Sequence, residues 1–279
     1  MIGVIDVGGG LRGIYGAGVF DRCLDDGVEF DYCIGVSAGS ANIASYSAKQ
    51  RGRNYRFYNV YSFHKEYMGL DSMMETGNFL SLDYVYSALS NTGGTDPLDY
   101  GAMMRFKGEI KTVATNALTG QPKYFGIGDY SQDDYSVIKA SCCLPVACKP
   151  VMIGDVPYFD GGLSDPVPIE KAFADGCDKV VLILTKPLDA PLADKRNGAV
   201  AELIKRSYPR AAAALSQMGK KYHSSLALAR EYAACGKALI IAPDDCCGMK
   251  TLTRDRIKID SLYHKGYADA AEIKNFVLE

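Results

Sequence analysis

The pentapeptide Gly35-Val36-Ser37-Ala38-Gly39 constrains this chain more than any other segment. Before it, Phe30-Asp31-Tyr32-Cys33-Ile34 reads as a short buried strand; after it, Ala38 to Gln50 is proline-free and rich in small residues, which suits a helix. Gly-x-Ser-x-Gly at a strand-to-helix junction is the nucleophile-elbow pattern, a sharp turn that holds the serine in a strained backbone conformation. Side chains at the two flanking positions would collide with neighbouring backbone, and glycine has no Cβ to do so. A helix starting beneath the turn also brings backbone N–H groups and the positive dipole end near the reacting centre. The same residues would serve as a plain small-residue turn, so the rest of the chain has to decide.

A chain of 279 residues with 48% hydrophobic content can bury a sizeable core as one large domain, here taken as residues 1–279. A net charge of -2 gives no reason to expect a nucleic-acid partner. Nine cysteines include the adjacent pairs Cys142-Cys143 and Cys246-Cys247 but no Cys-x-x-Cys, which is neither a disulfide framework nor a zinc spacing. Buried reduced thiols, no metal and no cofactor are expected. The opening Met1-Ile2-Gly3-Val4-Ile5-Asp6 lacks a basic leader, and no segment approaches the roughly 20 apolar residues of a membrane span. A soluble cytoplasmic protein is the resulting expectation.

Strands and helices alternate along the chain. Ile2 to Val7 is a first strand, followed by a glycine loop and a helix from Gly13 to Asp25. Strands are expected at Glu109–Leu118, Lys123–Ile127, Lys149–Ile153, Val156–Phe159, Lys179–Thr185 and Ala238–Ala242. Helices are expected at Tyr135–Cys143, Ala199–Lys205, Lys221–Cys235 and Ser261–Val277. The pattern predicts an α/β fold, a three-layer α/β/α sandwich on a largely parallel sheet. Residues 51–108 hold no convincing strand and many large apolar side chains, among them Tyr67, Met68, Met73, Met74 and Tyr86. A loop of that length is improbable, so the segment is read as mostly helical. It serves either as ordinary core or as a cap over an apolar groove beside Ser37.

Directly after the first strand comes Gly8-Gly9-Gly10-Leu11-Arg12-Gly13. Such a loop can cradle the pyrophosphate of a dinucleotide, with Glu29 or Asp31 as the acid about 20 residues on. It can equally point successive N–H groups at a carbonyl oxygen as an oxyanion hole. A serine hydroxyl also needs a base. None of the three histidines, His64, His223 and His264, sits beside a motif, whereas Asp160 in Phe159-Asp160-Gly161-Gly162 follows a strand and precedes a turn. A Ser-His-Asp triad stays open on these residues, as does a plain Asp-Gly turn.

Gly-Gly-Gly-x-Arg-Gly, Gly-x-Ser-x-Gly and Asp-Gly-Gly in this order resemble the patatin-like phospholipase family of acyl hydrolases. Lys139-Ala140-Ser141-Cys142-Cys143-Leu144-Pro145 is similar to the Ala-Ser-x-x-x-Pro stretch this family often carries before its aspartate. The ending, Tyr263-x-x-Gly266-Tyr267-x-Asp269-Ala270, is similar to a bacterial subgroup of the family. Two departures, Val7 between Asp6 and the first glycine and Asp-Gly-Gly where many members have Asp-Gly-Ala, remove no reacting group. The resemblance implies a dyad of Ser37 and Asp160 working without histidine. It implies an oxyanion hole at Gly9 and Gly10, with Leu11 or Arg12, and motif glycines at Gly8, Gly13, Gly35, Gly39, Gly161 and Gly162.

The function so implied is cleavage of lipid or simpler acyl esters through an acyl-enzyme. An acyltransferase using the same intermediate and a dinucleotide-binding module built on Gly8, Gly10 and Gly13 are the alternatives. The basic residues Lys49, Arg51, Arg53 and Arg56, and Lys205, Arg206 and Arg210, read first as solvated helix faces and second as a transient contact with anionic lipid headgroups.

Overall fold

A computed structural model of the chain describes residues 1–190 and 194–278, with side chains 194–196 left out of the description. Eight strands form one sheet: β1 (Ile2–Asp6), β2 (Tyr32–Val36), β3 (Glu109–Asn116), β4 (Pro122–Gly126), β5 (Val151–Ile153), β6 (Val156–Asp160), β7 (Lys179–Ile183) and β8 (Ala238–Ile241). Strands β3, β2, β1, β7 and β8 run parallel in that order; β4 and β6 pair antiparallel with β3, and β5 antiparallel with β6. The helices are α1 (Ile14–Asp25), α2 (Ala38–Ser47), α3 (Arg53–Asn59), α4 (Leu70–Thr76), α5 (Tyr100–Met104), α6 (Ser136–Ser141), α7 (Ile169–Ala174), α8 (Asp194–Ile204), α9 (Pro209–Ala234), α10 (Arg256–Asp269) and α11 (Ile273–Leu278).

The parallel strands are apolar on both faces, as a sheet covered on both sides must be. Successive side chains alternate between faces. Val4, Cys33, Val181 and Ile183 therefore join one core with α1, α2 and α10, while Ile5, Ile34, Val180 and Leu182 join a second with α7 and α9. The result is the expected three-layer α/β/α sandwich. Among the described residues no helix is long and apolar enough to cross a membrane, and no cluster of His, Cys, Asp or Glu could hold a metal ion. All nine cysteines are free; six are buried, Cys235 is exposed, and Cys246 and Cys247 are half-buried.

Several elements differ from the sequence reading for local reasons. Helix α9 starts at Pro209, a residue suited to a first helical turn, and runs 26 residues, well before the expected Lys221. The C-terminal helix starts earlier too, because the Asp255 carboxylate accepts the N–H groups of Ile257 and Lys258, and it breaks into a 3₁₀ turn at Ala270–Glu272. Residues 51–108 are about half helical, in short pieces rather than long helices: α3, α4, a π-helical turn at Tyr84–Leu89 and α5 are each seven residues or fewer, joined by irregular chain. The first basic cluster is largely neutralised within the fold, Lys49 by Glu29, Arg51 by Asp25, and Arg53 and Arg56 by Asp96.

Candidate active site

The place where β2 and β6 end builds the site. Thr112 of β3 pairs with Gly35 of β2 and with Phe125 of β4, so β2 and β4 flank β3 on opposite edges. Ala114 pairs with Lys123 of β4 and with Asp160 of β6, which puts β6 on the same edge as β2. Strand β2 runs parallel to β3 and ends at Val36, opposite Val113; β6 runs antiparallel and ends at Asp160, opposite Ala114. The two strands meet end to end. Ser37 and Asp160 leave them at the junction and line one cleft of about 630 Å³.

Ser37 has φ 55° and ψ −131°, a sparsely populated conformation for a residue with a side chain. Its N–H donates to Ser141 Oγ at 2.9 Å, and its carbonyl accepts the Ser40 hydroxyl at 2.7 Å. The turn can be this tight because Gly35 lies against the Ser40 backbone and Gly39 against the Asp6 carbonyl, where an added Cβ would sit 2.5 and 2.2 Å away.

Asp160 is 4% exposed. Its N–H donates to the Cys143 carbonyl at 2.8 Å, so the segment carrying Ser141 and Cys143 holds both ends of the strand junction. Oδ1 accepts the Gly162 N–H at 2.8 Å, while Oδ2 is buried without a hydrogen-bond partner. Burial pushes the Asp160 carboxyl up to about 6, partly offset by the Ser37 side chain and the Gly162 N–H. Gly161 lies on the Val113 carbonyl, where a Cβ would be 2.2 Å away.

The glycine loop faces this pair. Gly8, Gly9 and Gly10 take φ of 64°, 133° and 62°, and a Cβ on Gly10 would stand 2.4 Å from the Thr251 carbonyl. The Gly8 N–H donates to Asp6 Oδ1 at 2.9 Å, and the Thr185 hydroxyl donates to the Gly8 carbonyl. Asp6 Oδ2 accepts from Asn42 of α2 at 2.8 Å, and Asn42 also donates to the Gly13 carbonyl at 2.9 Å. Fully buried Asp6, its carboxyl pushed up to about 6 by desolvation, therefore ties the loop to the elbow helix. Among the described residues, the N–H groups of Gly9 and Gly10 have no protein acceptor. Leu11 is a correction: its N–H donates to the Thr251 carbonyl at 2.8 Å, so it is not free to serve an oxyanion. Arg12 is buried and donates from Nη1 to Thr251 Oγ1 at 3.0 Å, anchoring the loop while lining the cleft.

On the other side of Ser37 lies an apolar groove of about 440 Å³, walled by Tyr67, Leu80, Leu82, Val85, Tyr86 and Leu252 among others. Most of that wall comes from residues 51–108. His64, His223 and His264 are exposed, and none lines either cavity. The acids of the dinucleotide alternative lie elsewhere: Asp31 accepts the Ile2 N–H at 2.8 Å, at the end of β1 opposite the glycine loop, and Glu29 pairs with Lys49.

Sequence reasoning did not single out Ser141 Oγ, the Cys143 carbonyl, Thr185, Thr251, Asp6 or Asn42 as supports of the site. Asp6 carried a readable signal, a lone carboxylate ending an apolar strand; Thr251 carried none.

The profile of the patatin-like phospholipase family matches residues 7–173, and that of a domain of unknown function (DUF6363) matches residues 208–277. The uncharacterized protein YjjU of Escherichia coli (strain K12) is 29% identical over 191 residues, 67% of this chain and 52% of that one. The chain thus spans about half the length of this curated relative. Among solved structures, VipD from Legionella pneumophila aligns over 99% of this chain and 66% of its own, at 13% identity and a TM-score of 0.48.

Proposed function

Because the chain belongs to the patatin-like phospholipase family, we propose that it is a serine-dependent lipid acyl hydrolase working through a Ser37–Asp160 dyad. The observation that carries the reading is the end-to-end meeting of β2 and β6, which sets a strained serine beside a buried carboxylate with an unpartnered oxygen. Asp160 takes the Ser37 proton as Oγ attacks the ester carbonyl. Burial makes it a stronger base than an exposed aspartate, yet leaves it ionised at neutral pH. The Gly9 and Gly10 N–H groups receive the oxyanion of the tetrahedral intermediate. The alcohol leaves with the proton, and Asp160 then activates water to release the acid from the acyl-enzyme.

The two cavities divide the substrate. The apolar groove beside residues 51–108 receives the acyl chain, and the cleft lined by Arg12, Asp160 and Lys186 receives the alcohol. Leu70 and Met74, each 77% exposed on α4 between groove-lining Tyr67 and Leu80, suit transient contact with a lipid surface. Residues 1–279 act as one unit in this reading, since β8 extends the sheet and Thr251 holds the glycine loop.

A fluorophosphonate probe tests the assignment. Ser37 should be labelled, and Ser37→Ala should lose both labelling and ester turnover. Labelling at another serine, or turnover that survives the substitution, would defeat it.

A further inference from the structure

Two cations, Arg12 and Lys186, line the cleft and form no salt bridge with the Asp160 carboxylate that shares it. Arg12 is 8% exposed, its Nε is buried without a partner, and its Nη1 is spent on Thr251. Nη2 makes no hydrogen bond among the described residues, although the side chain lines the cleft. Lys186, in the turn after β7, lines the same cleft, and no Asp or Glu pairs with either cation among the described residues. Desolvation and the positive charge of Arg12 both work against the Lys186 ammonium. Bringing two like charges together in a partly desolvated cleft is unfavourable unless something anionic joins them. The third polar wall is Tyr222 of α9, whose hydroxyl is committed to no acceptor among the described residues. Burial pushes that phenol up to about 12, so it stays protonated and can donate.

We propose that Arg12, Lys186 and Tyr222 form a subsite for a phosphate monoester, and that the preferred substrate is an acyl ester carrying such a group beside the scissile bond. The three donors favour this group, with its three terminal oxygens, over a carboxylate or a phosphodiester, which have two. Arg12 and Lys186 keep the cleft net positive even with Asp160 ionised, and a phosphate monoester, at about −1.5 to −2 near neutral pH, brings counter-charge to both cations. The donors fit as well: a guanidinium fork held in register by Thr251, a mobile ammonium and a phenol, set against three acceptor oxygens. Tyr222 and Thr251 both lie in residues 208–277, so this assignment gives the C-terminal segment a share in substrate recognition.

The substrate preference rests on the acyl-hydrolase reading, but occupancy of the subsite does not, so two measurements separate them. In thermal unfolding, inorganic phosphate and glycerol 3-phosphate should each raise the Tm of the wild-type chain saturably, and of Lys186→Arg, but not of Lys186→Met. In turnover, kcat/KM for a short-chain 1-acylglycerol 3-phosphate should exceed that for the matching 1-acylglycerol at least tenfold. That ratio should fall at least tenfold in Lys186→Met and largely survive in Lys186→Arg. Should Lys186→Met not fold, Tyr222→Phe is read for the same drop in ratio, expected at about threefold. Stabilisation by phosphate with a substrate ratio near one would assign the site to free phosphate and overturn the substrate preference. Absence of stabilisation by either anion, or a ratio that Lys186→Met leaves intact, would overturn the subsite. Failure of every ester to turn over, with Ser37 unlabelled, would sink the hydrolase reading and the substrate preference, leaving the Tm series to decide the subsite.

Discussion

Replacing Asp160 with asparagine should make the protein more stable at neutral pH while abolishing its activity. In the folded chain, burial holds this carboxyl near 6, against the ordinary 3.8 it regains on unfolding. A folded pKa above the unfolded one means that the native state binds the proton more tightly. Its relative stability is full below about pH 3.8 and is lost as pH rises through 6. The gap is roughly two decades in acidity at about 1.4 kcal/mol each, so ionised Asp160 destabilises the native state by about 3 kcal/mol at pH 8. Asparagine removes the buried charge and keeps an oxygen to accept the Gly162 N–H. Urea unfolding of both proteins at pH 8 and pH 4 measures the difference directly. The variant should gain up to about 3 kcal/mol at pH 8, an increase of about 6–12 °C in Tm for a chain near this size. The gain should all but vanish by pH 4, where native Asp160 is protonated. A variant that is less stable at pH 8, or whose gain does not change with pH, would refute the claim that desolvation governs this residue.

The same ionisation sets an activity profile: kcat/KM should fall on the acid side through about pH 6 with unit slope, and single replacement of His64, His223 or His264 should not move that limb. Ser141→Ala leaves the Ser37 N–H without its acceptor and should cost about 1–3 kcal/mol in urea unfolding, with turnover reduced as the elbow loosens. Gly10→Ala must displace the Thr251 carbonyl 2.4 Å from the new Cβ, so kcat should drop by about 10²–10³ while KM changes little. An unaltered kcat in folded Gly10→Ala would move the oxyanion donors elsewhere.

What could be read in advance was whatever the local backbone decides. Alternating strands and helices fixed the layer architecture, because each strand had to be buried on both faces. The Gly35–Gly39 elbow was legible because its glycines are demanded by contacts within a few residues or with the neighbouring strand. Long-range partners were not legible in the same way. Thr251 lies 240 positions beyond Leu11, and nothing in Thr251-Leu252-Thr253 marks a carbonyl that will occupy the Leu11 N–H. Leu11 therefore looked like a donor when the sequence was the only guide. Residues 51–108 were legible only in part, for a different reason. The lack of a strand pattern pointed to helix but not to how short each helical piece is, and Phe57, Tyr58, Tyr67 and Tyr86 line a groove rather than one helix face.

The C-terminal motif shows how polar contacts carry information that hydrophobic periodicity does not. Tyr263 donates to Asp21 at 2.7 Å, Tyr267 donates to Asp25 at 2.8 Å, and Asp269 accepts from Tyr15 at 2.8 Å. Gly266 lets α10 approach until an added Cβ would stand 2.1 Å from the Tyr15 carbonyl. All these partners lie on α1, the helix that follows the glycine loop without a break. The loop is thus held at three points: by Asp6 at Gly8, by Thr251 at Leu11 and Arg12, and by α1 pinned beneath α10. Two uncommitted N–H groups, at Gly9 and Gly10, remain between fixed neighbours. Donors that must meet a charge present only in the transition state gain from being fixed beforehand, because reorienting them during reaction would add to the barrier. A C-terminal segment clamped on α1 would supply that fixity without entering the proposed catalytic pair.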